Sequence, residues 1–376
     1  MEDTSFLKRL LSGKFLIDLW QKEGESILGI DLGSSSLKVV QIRKTKERAV
    51  LETYGELSVA HYAGTDVGMA AILPEDKAVE MITDAVKESN AKAIDAVASI
   101  SLRNSFVTVI DMPTMSDKEL AKSIAYEARR YIPVPISEVE MDWWVLPRVI
   151  EAEGEEAGVA KKKTTVPVLL VAIHKNVLDQ QKNMIRRANL KLKTFEVEIF
   201  SLARACLGRE LVPVLIIDLG ASATKMTIVD YGIVRMAHSF GSGAQDITAT
   251  LSRALRIDFG RAEKLKREVG LSDRPEHKEM KQVMSPMLDY VFAEAVRLSS
   301  DYRMRHGRSI SRVILAGGGA LLPGITEYAV NKFGVEVSMA NPFTKVEYPA
   351  FLEPALREVG PNFASAIGLA LRGLKQ

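Results

Sequence analysis

Two short segments of the sequence place an aspartate before, and a lysine after, a turn that contains glycine. Residues 30–38 read Ile-Asp-Leu-Gly-Ser-Ser-Ser-Leu-Lys, and residues 217–225 read Ile-Asp-Leu-Gly-Ala-Ser-Ala-Thr-Lys. Apolar runs flank both copies, which is typical of a strand, a tight turn and a second strand. Two such hairpins that face each other would form a clamp for a polyphosphate.

The residues of these turns have the chemistry that anion binding requires. Gly33 and Gly220 have no Cβ and can adopt a positive φ, so backbone N–H groups can approach an anion closely. Hydroxyl groups add donors, and a lysine adds a charge that suits a β- or γ-phosphate. The alternative is an ordinary hairpin at each copy, and the matching polar positions favour the binding site. The candidates are Gly33, Ser34, Ser35, Ser36, Lys38, Gly220, Ala221, Ser222 and Lys225.

The two aspartates are candidates for holding a metal ion. Asp31 and Asp218 occupy the same position in the two copies, so the hairpins would place them opposite each other across a cleft. Mg²⁺ retains several of its waters and binds few carboxylates directly. We therefore expect Asp31 and Asp218 to hold Mg²⁺ through its waters.

A third glycine cluster lies closer to the C-terminus. An apolar run at residues 313–316 predicts a buried strand. The glycine-rich segment 317–324 follows this strand, and a helix-like stretch comes after the segment. A strand, a glycine turn and a helix N-terminus together form an anion or nucleotide site. The cluster is not a dinucleotide-binding fingerprint, because Leu322 stands where G-x-G-x-x-G needs its third glycine. The four candidate residues are Gly317, Gly318, Gly319 and Ala320.

In this order, the two hairpins and the third cluster resemble the motifs of the actin-like ATPase superfamily. That superfamily includes actin, DnaK-type chaperones, sugar kinases, MreB and FtsA. The resemblance covers the chain from about residue 26 to the C-terminus. It implies an α/β fold of two lobes, each with a mixed β-sheet flanked by helices, around a cleft that binds ATP and Mg²⁺.

Two further segments are similar to that superfamily. One contains Glu263 and Lys266, which the resemblance brings to the adenosine. The other is the run of small residues 362–370, which resembles the connecting helix behind the cleft. Ala364 and Gly368 lie four positions apart on this run, so they share a helix face and permit close contact with a neighbouring helix.

The region between the two hairpins indicates a branch of the superfamily. Its pattern predicts a β-α-β-β-α insert, with a charged loop at residues 151–163 and a helix that stops near Pro133. Ser116 is the predicted N-cap of that helix and Glu119 its capping-box partner. The arrangement resembles subdomain 1C of FtsA and its relatives. Within that branch the sequence is similar to the PilM family of type IV pilus assembly proteins at residues 112–120, 127–133, 138–143, 195–198 and 202–205.

The PilM resemblance implies a nucleotide-loaded adaptor in the cytoplasm, peripheral at the inner membrane. Such a protein would bind the N-terminal cytoplasmic peptide of PilN in a groove near subdomain 1C. It would also link the assembly platform to the pilus motor. This reading puts Glu119, Ala125, Glu127 and Arg129 near the groove. The alternative is that these residues only build the subdomain.

Hydrolysis of ATP would need a group that orients water in line with the γ-phosphate. Glu198, where the predicted strand 192–199 enters the first connecting helix, is the catalytic candidate, and Glu196 is the alternative to it. Strand alternation predicts that both carboxylates face the same side. Either one is equally explained as a surface carboxylate. ATP binding is therefore expected, and turnover is left open as weak or absent.

Other functions use the same hairpins. A sugar or metabolite kinase would need an acidic base beside a polar sugar pocket, and the sequence has no second-substrate signature. A division tether like FtsA would share the insert but should end in an amphipathic helix, whereas this sequence ends just after the connecting helix and has its amphipathic pattern at the front. These facts favour the pilus adaptor, with a type II secretion relative as a near neighbour.

The patterns also predict a division into regions. Phe6, Leu7, Leu10 and Leu11 recur at helical spacing beside basic residues, so residues 5–20 are a candidate for peripheral membrane contact or for docking on a partner. A helix packed on its own domain and a loose tail are the alternatives. The regions are 1–25 as the amphipathic segment, 26–100 as subdomain 1A (completed by 194–210 and 360–376), 101–193 as 1C, 211–240 as 2A (completed by 309–359) and 241–308 as 2B.

The composition narrows the class of protein. The 376 residues are 47% hydrophobic and 26% charged, which is ordinary for a globular chain long enough for two or more domains. A net charge of +2, with no basic patch interleaved with aromatics, gives no reason to expect a nucleic-acid partner. The single cysteine, Cys206, excludes an internal disulfide and fits a reducing compartment. The sequence contains no apolar run of about 18 residues that would predict a transmembrane helix.

Overall fold

The computed structural model describes residues 24–46, 48–147 and 165–374. The expected amphipathic segment lies outside these ranges except for its last two residues, and the predicted charged loop lies wholly outside them. The described residues form three β-sheets with helices around them. Each five-stranded sheet with its helices forms a lobe, the first and the second in chain order. The three-stranded sheet with its helices forms the insert, which lies within the sequence of the first lobe.

The sheet of the first lobe combines an antiparallel half with a parallel half. Its strands are β1 (Ser26–Leu32), β2 (Ser36–Thr45), β3 (Arg48–Ser58), β4 (Asp95–Ile100) and β8 (Lys191–Val197). The spatial order is β3-β2-β1-β4-β8, in which β4 runs parallel to both β1 and β8. Antiparallel neighbours need only short turns, whereas parallel neighbours need longer crossover connections. Helices and the whole insert lie in those crossovers.

The sheet of the second lobe repeats this plan. Its strands are β9 (Val214–Leu219), β10 (Thr224–Asp230), β11 (Ile233–Phe240), β12 (Arg312–Ala316) and β13 (Glu336–Met339). The order is β11-β10-β9-β12-β13, so the hairpin β9–β10 occupies the place that β1–β2 has in the first lobe. Asp31 pairs with Lys38 in one hairpin, and Asp218 pairs with Lys225 in the other. The sequence repeat is therefore a structural repeat, as predicted.

The described residues of the insert form three antiparallel strands and two α-helices. They are β5 (Ser105–Pro113), α3 (Asp117–Glu127), β6 (Val139–Val145), β7 (Thr165–His174) and α4 (Lys175–Arg187), with the sheet order β5-β7-β6. The predicted capping box is confirmed, with the Ser116 N–H donating to the Glu119 carboxylate at 3.0 Å. The Ser116 hydroxyl also donates to this carboxylate, at 2.7 Å. At the far end, the Arg187 guanidinium lies 2.9 Å from Glu75 and 2.6 Å from Asp76 of the first lobe. The last helix of the insert is thereby attached to that lobe.

The described helices outside the insert are α1 (Val59–Ala63), α2 (Glu75–Glu88), α5 (Glu198–Cys206), α6 (Ala244–Leu255), α7 (Phe259–Val269), α8 (Lys278–His306), α9 (Ile325–Phe333) and α10 (Glu353–Gly373).

Two of these helices, α5 and α10, connect the lobes and pack closely on each other. A Cβ on Gly368 of α10 would lie 1.9 Å from the Ser201 carbonyl oxygen of α5. A Cβ on Gly29 of β1 would lie 2.1 Å from the Ala366 carbonyl oxygen. The predicted close contact through Gly368 is thus confirmed.

Apolar cores lie on both faces of the first sheet. Ile27 of β1 packs in the core beneath α10, whereas its neighbour Leu28 faces the core beneath α2. A strand buried on both faces has a continuous apolar sequence rather than an alternating one. The helices α6 to α9 cover a separate core in the second lobe. These cores hold the two hairpin turns at the ends of rigid strands.

Candidate functional site

The first turn presents backbone donors to the space between the lobes. The Gly33 N–H donates to the Ser36 carbonyl oxygen at 3.0 Å, which closes the turn. The N–H groups of Ser34 and Ser35 have no acceptor among the described residues. Orphan N–H groups in a tight turn form an anion-binding concavity. The local chemistry of this turn therefore fits a phosphate.

The second turn has the same geometry and is supported by a helix. Gly220 donates its N–H to the Ala223 carbonyl oxygen at 3.1 Å, and within the described ranges the N–H groups of Ala221 and Ser222 lack an acceptor. At the start of α6, the Ala244 N–H donates to the Gly220 carbonyl oxygen at 2.9 Å. The helix start thus fixes the turn, and the free N–H groups remain available to a ligand.

The two turns contact each other. The Ser222 hydroxyl donates to the Ser34 hydroxyl at 3.0 Å. The donor set fits a polyphosphate, but this hydroxyl contact leaves no room for a phosphate between the two side chains. A ligand that binds both turns must therefore separate Ser34 from Ser222.

The lysine of the second turn is held by two carboxylates. The Lys225 Nζ lies 3.0 Å from the Asp218 carboxylate and 2.8 Å from the Glu198 carboxylate. Burial lowers the pKa of Lys225, but these two carboxylates more than offset burial, so the pKa rises and the ammonium stays charged. The lysine of the first turn is paired less tightly, because the Lys38 Nζ lies 3.9 Å from the Glu56 carboxylate.

The two aspartates lie at the ends of equivalent strands. Asp31 accepts a hydrogen bond from the Ser99 hydroxyl at 2.8 Å, and Asp218 accepts one from Lys225. Burial raises the pKa of the nearby Glu198 carboxyl. The Lys225 ammonium opposes this rise, and the negative charges of Asp218 and Asp31 add to it. The described residues contain no group of three or more metal-ligating side chains. Two carboxylates suit Mg²⁺ that retains its waters.

The third glycine cluster follows β12, as predicted, and a helix follows the cluster. Residues Gly318–Leu321 form a 3-10 helix, and the α-helix α9 starts only at Ile325. The helix expected after Gly324 is therefore confirmed, and Pro323 with a positive φ at Gly324 separates it from the 3-10 helix. Gly317 has a φ of 79°, and a Cβ there would lie 2.3 Å from the Asp218 carboxylate. This turn thus wraps around the end of β9.

The predicted adenosine residues are paired with each other. The Lys266 Nζ lies 2.6 Å from the Glu263 carboxylate, and Arg267 also contacts that carboxylate at 2.6 Å. Burial raises the pKa of Glu263, but Lys266, Thr248 and Arg267 more than offset it and hold the pKa below its usual range. Lys266 also donates to the Ala244 carbonyl oxygen at 3.1 Å. The pair is thereby tied to the helix start that supports the second turn.

Glu196 and Glu198 do not share a face, so the expectation from strand alternation is wrong. β8 ends at Val197, and Glu198 is the first residue of α5. Glu196 is fully buried and binds the Arg204 guanidinium at 2.5 and 2.6 Å. It therefore holds the connecting helix to β8 rather than facing the turns. Neither carboxylate is a surface group, because Glu196 is fully buried and Glu198 is only 8% exposed.

The four partner candidates lie on the insert, apart from the turns. Glu119 forms the capping box, and Glu127 pairs with Arg130 at 2.7 Å. Ala125 and Arg129 are exposed. Arg129 lines a cavity of about 420 Å³ with Val134, Pro135, Ile136 and Ser137. The structure thus brings one of the four to a cavity.

Three contacts near the turns were not predicted. The contact between Ser99 and Asp31 is the one that the sequence could have indicated. Ser99 lies near the carboxyl end of a strand parallel to β1, at the same edge of the sheet as Asp31. Gln245 accepts a hydrogen bond from the Ala70 N–H across the lobes at 2.9 Å. A Cβ on Gly68 would lie 2.6 Å from the Glu263 carboxyl carbon. The last two contacts join segments distant in the sequence, and no local pattern indicates them.

The matched lobes, the paired turns and the connecting helices define the actin-like ATPase fold. The structure of MreB 5 of Spiroplasma citri bound to AMPPNP has this fold, with a TM-score of 0.51 at 13% identity over 92% of this chain and 95% of that chain. The expected fold class is therefore confirmed. Within the described ranges, none of the helices has the length and apolar composition needed to span a bilayer.

The family follows from the sequence comparison. The profile of the family described as type IV pilus assembly protein PilM matches residues 29–374, so the chain belongs to that family. A chain of the solved PilM-PilN type IV pilus biogenesis complex is 25% identical, with a TM-score of 0.76 over 93% of this chain and 98% of that chain. The cell division protein FtsA of Streptococcus pneumoniae serotype 2 is 22% identical in an alignment 368 residues long, which covers 86% of this chain and 77% of that protein. The resemblance to PilM and to the FtsA branch is confirmed.

Proposed function

We propose that this protein is an ATP-binding adaptor of the type IV pilus assembly machinery. Its partner would be the N-terminal cytoplasmic peptide of PilN, and it would link the inner-membrane platform to the motor proteins. The observation that carries the proposal is the pair of matched turns with free N–H groups, in a chain of the PilM family. An adaptor of this kind acts in the cytoplasm, at the surface of the inner membrane.

In this proposal, each lobe supplies one half of the phosphate site. The N–H groups of Ser34, Ser35, Ala221 and Ser222 would donate to phosphate oxygens once the hydroxyl contact between the turns opens. A bound Mg²⁺ would neutralise the charge of the β- and γ-phosphates. The proposed nucleotide site also includes the two aspartates, the two lysines and the small residues of the turns. These are Asp31, Asp218, Lys38, Lys225, Gly33, Ser36, Gly220 and Gly317–Ala320.

The partner site is proposed on the insert, at the cavity beside Arg129. Val134 and Ile136 give this cavity apolar lining, and Arg129 gives it a positive charge. The solved relative is a complex of PilM with PilN, which supports PilN as a partner of this chain. Membrane contact through residues 5–20 stays a proposal about a part of the chain outside the described ranges.

We propose slow turnover, or none, for the bound nucleotide. A catalytic carboxylate must have a free oxygen for the proton or the water that it handles. Glu198 instead accepts from the Leu102 N–H at 2.7 Å and from the Ser101 hydroxyl at 3.1 Å, while Lys225 holds its other oxygen.

The subdomain boundaries proposed from the sequence suit an adaptor with two separate sites. The turns of the nucleotide site lie in 1A and 2A, and the partner cavity lies in 1C.

The partner test is calorimetric titration of the full chain with a synthetic PilN N-terminal peptide from the same genome, with and without Mg-ATP. We expect binding that Arg129→Ala weakens by about 1 kcal/mol or more, the range for charged contacts at an interface. Arg186→Ala on helix α4, also exposed, is the matched control and should bind as the wild type. A folded protein that ignores the peptide under both conditions would contradict the adaptor function.

A further inference from the structure

Glu198 connects three parts of the molecule through its two carboxylate oxygens. One oxygen accepts from the Leu102 N–H at 2.7 Å and the Ser101 hydroxyl at 3.1 Å. The other lies 2.8 Å from the Lys225 ammonium of the second lobe. Glu198 itself is the first residue of α5, which belongs to the first lobe. A single buried side chain thus bridges the second turn and the root of the insert.

The root of the insert is short and continuous. Ser101 caps the 3-10 helix Leu102–Asn104, and β5 of the insert starts at Ser105. A displacement of the Leu102 backbone therefore passes directly into the first strand of the insert. This junction has space to move, because a cavity of about 340 Å³ lies between it and the end of β11.

The Lys225 side of the bridge lies at the second turn. A Cβ on Gly220 would be 3.8 Å from the Lys225 Nζ, so the ammonium lies beside the turn that presents the free N–H groups. A phosphate there would compete with Glu198 and Asp218 for this ammonium. A buried carboxylate that loses its cation must rely on its remaining donors, because an unpaired buried charge is costly. The remaining donors of Glu198 are the Leu102 N–H and the Ser101 hydroxyl.

We infer that Glu198 is a positioning residue that couples the phosphate subsite to the insert. When a γ-phosphate draws Lys225 away, Glu198 holds Leu102 and Ser101 more tightly and so orders the root of the insert. A diphosphate, which leaves the γ-position free, has a smaller effect. The inference rests on the proposed nucleotide site and adds a regulation to it. By linkage, a partner bound to the insert changes nucleotide affinity by the same factor.

Hydrogen–deuterium exchange of the full chain tests the coupling. Peptides that cover residues 101–113 are compared in the wild type without nucleotide, with saturating Mg-AMPPNP and with Mg-ADP. We expect the triphosphate analogue to slow exchange there by about fivefold or more, the lower end of measured allosteric couplings, and the diphosphate to slow it less. Calorimetry on the same samples records whether the nucleotide is bound.

Two variants separate the coupling from a merely structural role. Glu198→Gln keeps the shape and an acceptor for Leu102 but removes the charge, so the nucleotide-dependent slowing should disappear while binding persists. Lys225→Gln removes the other end of the ion pair and a phosphate contact, so it weakens nucleotide binding. Once calorimetry shows that this variant is saturated, the nucleotide-dependent slowing should again be absent. Glu80→Gln, which breaks the exposed ion pair with Lys77, is the control and should retain the slowing.

The outcomes distinguish this inference from the proposed function. Bound nucleotide without slower exchange in the wild type would overturn the coupling and leave the nucleotide site standing. Full slowing in both Glu198→Gln and Lys225→Gln would also overturn it. A folded wild type that binds neither nucleotide would overturn the proposed nucleotide site and the coupling together.

Discussion

At the scale of single side chains, most charges around the two turns are paired with each other. Lys225 contacts Asp218 and Glu198, and Lys266 contacts Glu263. A phosphate that takes either lysine must compete with a carboxylate. Lys38 is different, because the Glu56 carboxylate is 3.9 Å away and partly exposed. We therefore expect Lys38 to contribute more than Lys225 or Lys266 to the free energy of nucleotide binding.

The first prediction is that Lys38→Met weakens Mg-ATP binding by about 1.5–3 kcal/mol, roughly ten- to a hundredfold. The methionine retains the apolar stem and loses only the charge that would contact phosphate. Calorimetric titration measures the affinity. Lys92→Met changes an exposed lysine elsewhere in the first lobe and should leave the affinity unchanged. Equal affinities of Lys38→Met and the wild type would rule out this role of Lys38.

Residue types and spacing were enough to predict the turn residues but not their partners. The repeat predicts the position of Asp31, Lys38, Asp218 and Lys225, because hairpin register follows from local sequence. The ion pair between Glu196 and Arg204 is set by burial where α5 packs, and burial depends on the whole fold. Strand alternation therefore predicted that Glu196 and Glu198 face the same side. In the structure Glu196 binds Arg204, whereas Glu198 binds Lys225.

At the scale of elements, the close approach of α5, α10 and β1 holds the two lobes together. Glycines make it possible, since Gly368 and Gly29 lie directly against backbone oxygens. The run of small residues predicted the contact of α10 correctly. The helix after the third glycine cluster was also predicted, whereas the short 3-10 helix within the cluster was not.

The second prediction is that Gly368→Ala destabilises the protein by about 1–3 kcal/mol, the usual cost of overpacking. The added Cβ would lie 1.9 Å from a backbone oxygen, which cannot move without shifting α5. The midpoint of denaturant unfolding measures the loss. Gly208→Ala, just after α5, is the control, because its Cβ meets nothing within 4 Å. An unchanged midpoint for Gly368→Ala would mean that the two helices are not tightly packed.

At the scale of the whole molecule, polar contacts near the turns form one part of the interface between the two lobes. These contacts are the Ser222–Ser34 hydroxyl bond, the Lys225–Glu198 ion pair and the hydrogen bond from the Ala70 N–H to Gln245. A nucleotide between the lobes must replace at least the first of them. In exchange it gains donors from both lobes, so its affinity should depend on both halves of the repeat.

Calorimetric titration of the full chain with Mg-ATP, for the wild type and for the double variant Asp31→Ala/Asp218→Ala, tests the nucleotide site most directly. We expect the wild type to bind and the double variant to lose at least about tenfold in affinity, or 1.4 kcal/mol. Circular dichroism and the thermal midpoint verify that both proteins are folded. A folded wild type that does not bind Mg-ATP would contradict the central claim, and so would a double variant that binds Mg-ATP as tightly as the wild type.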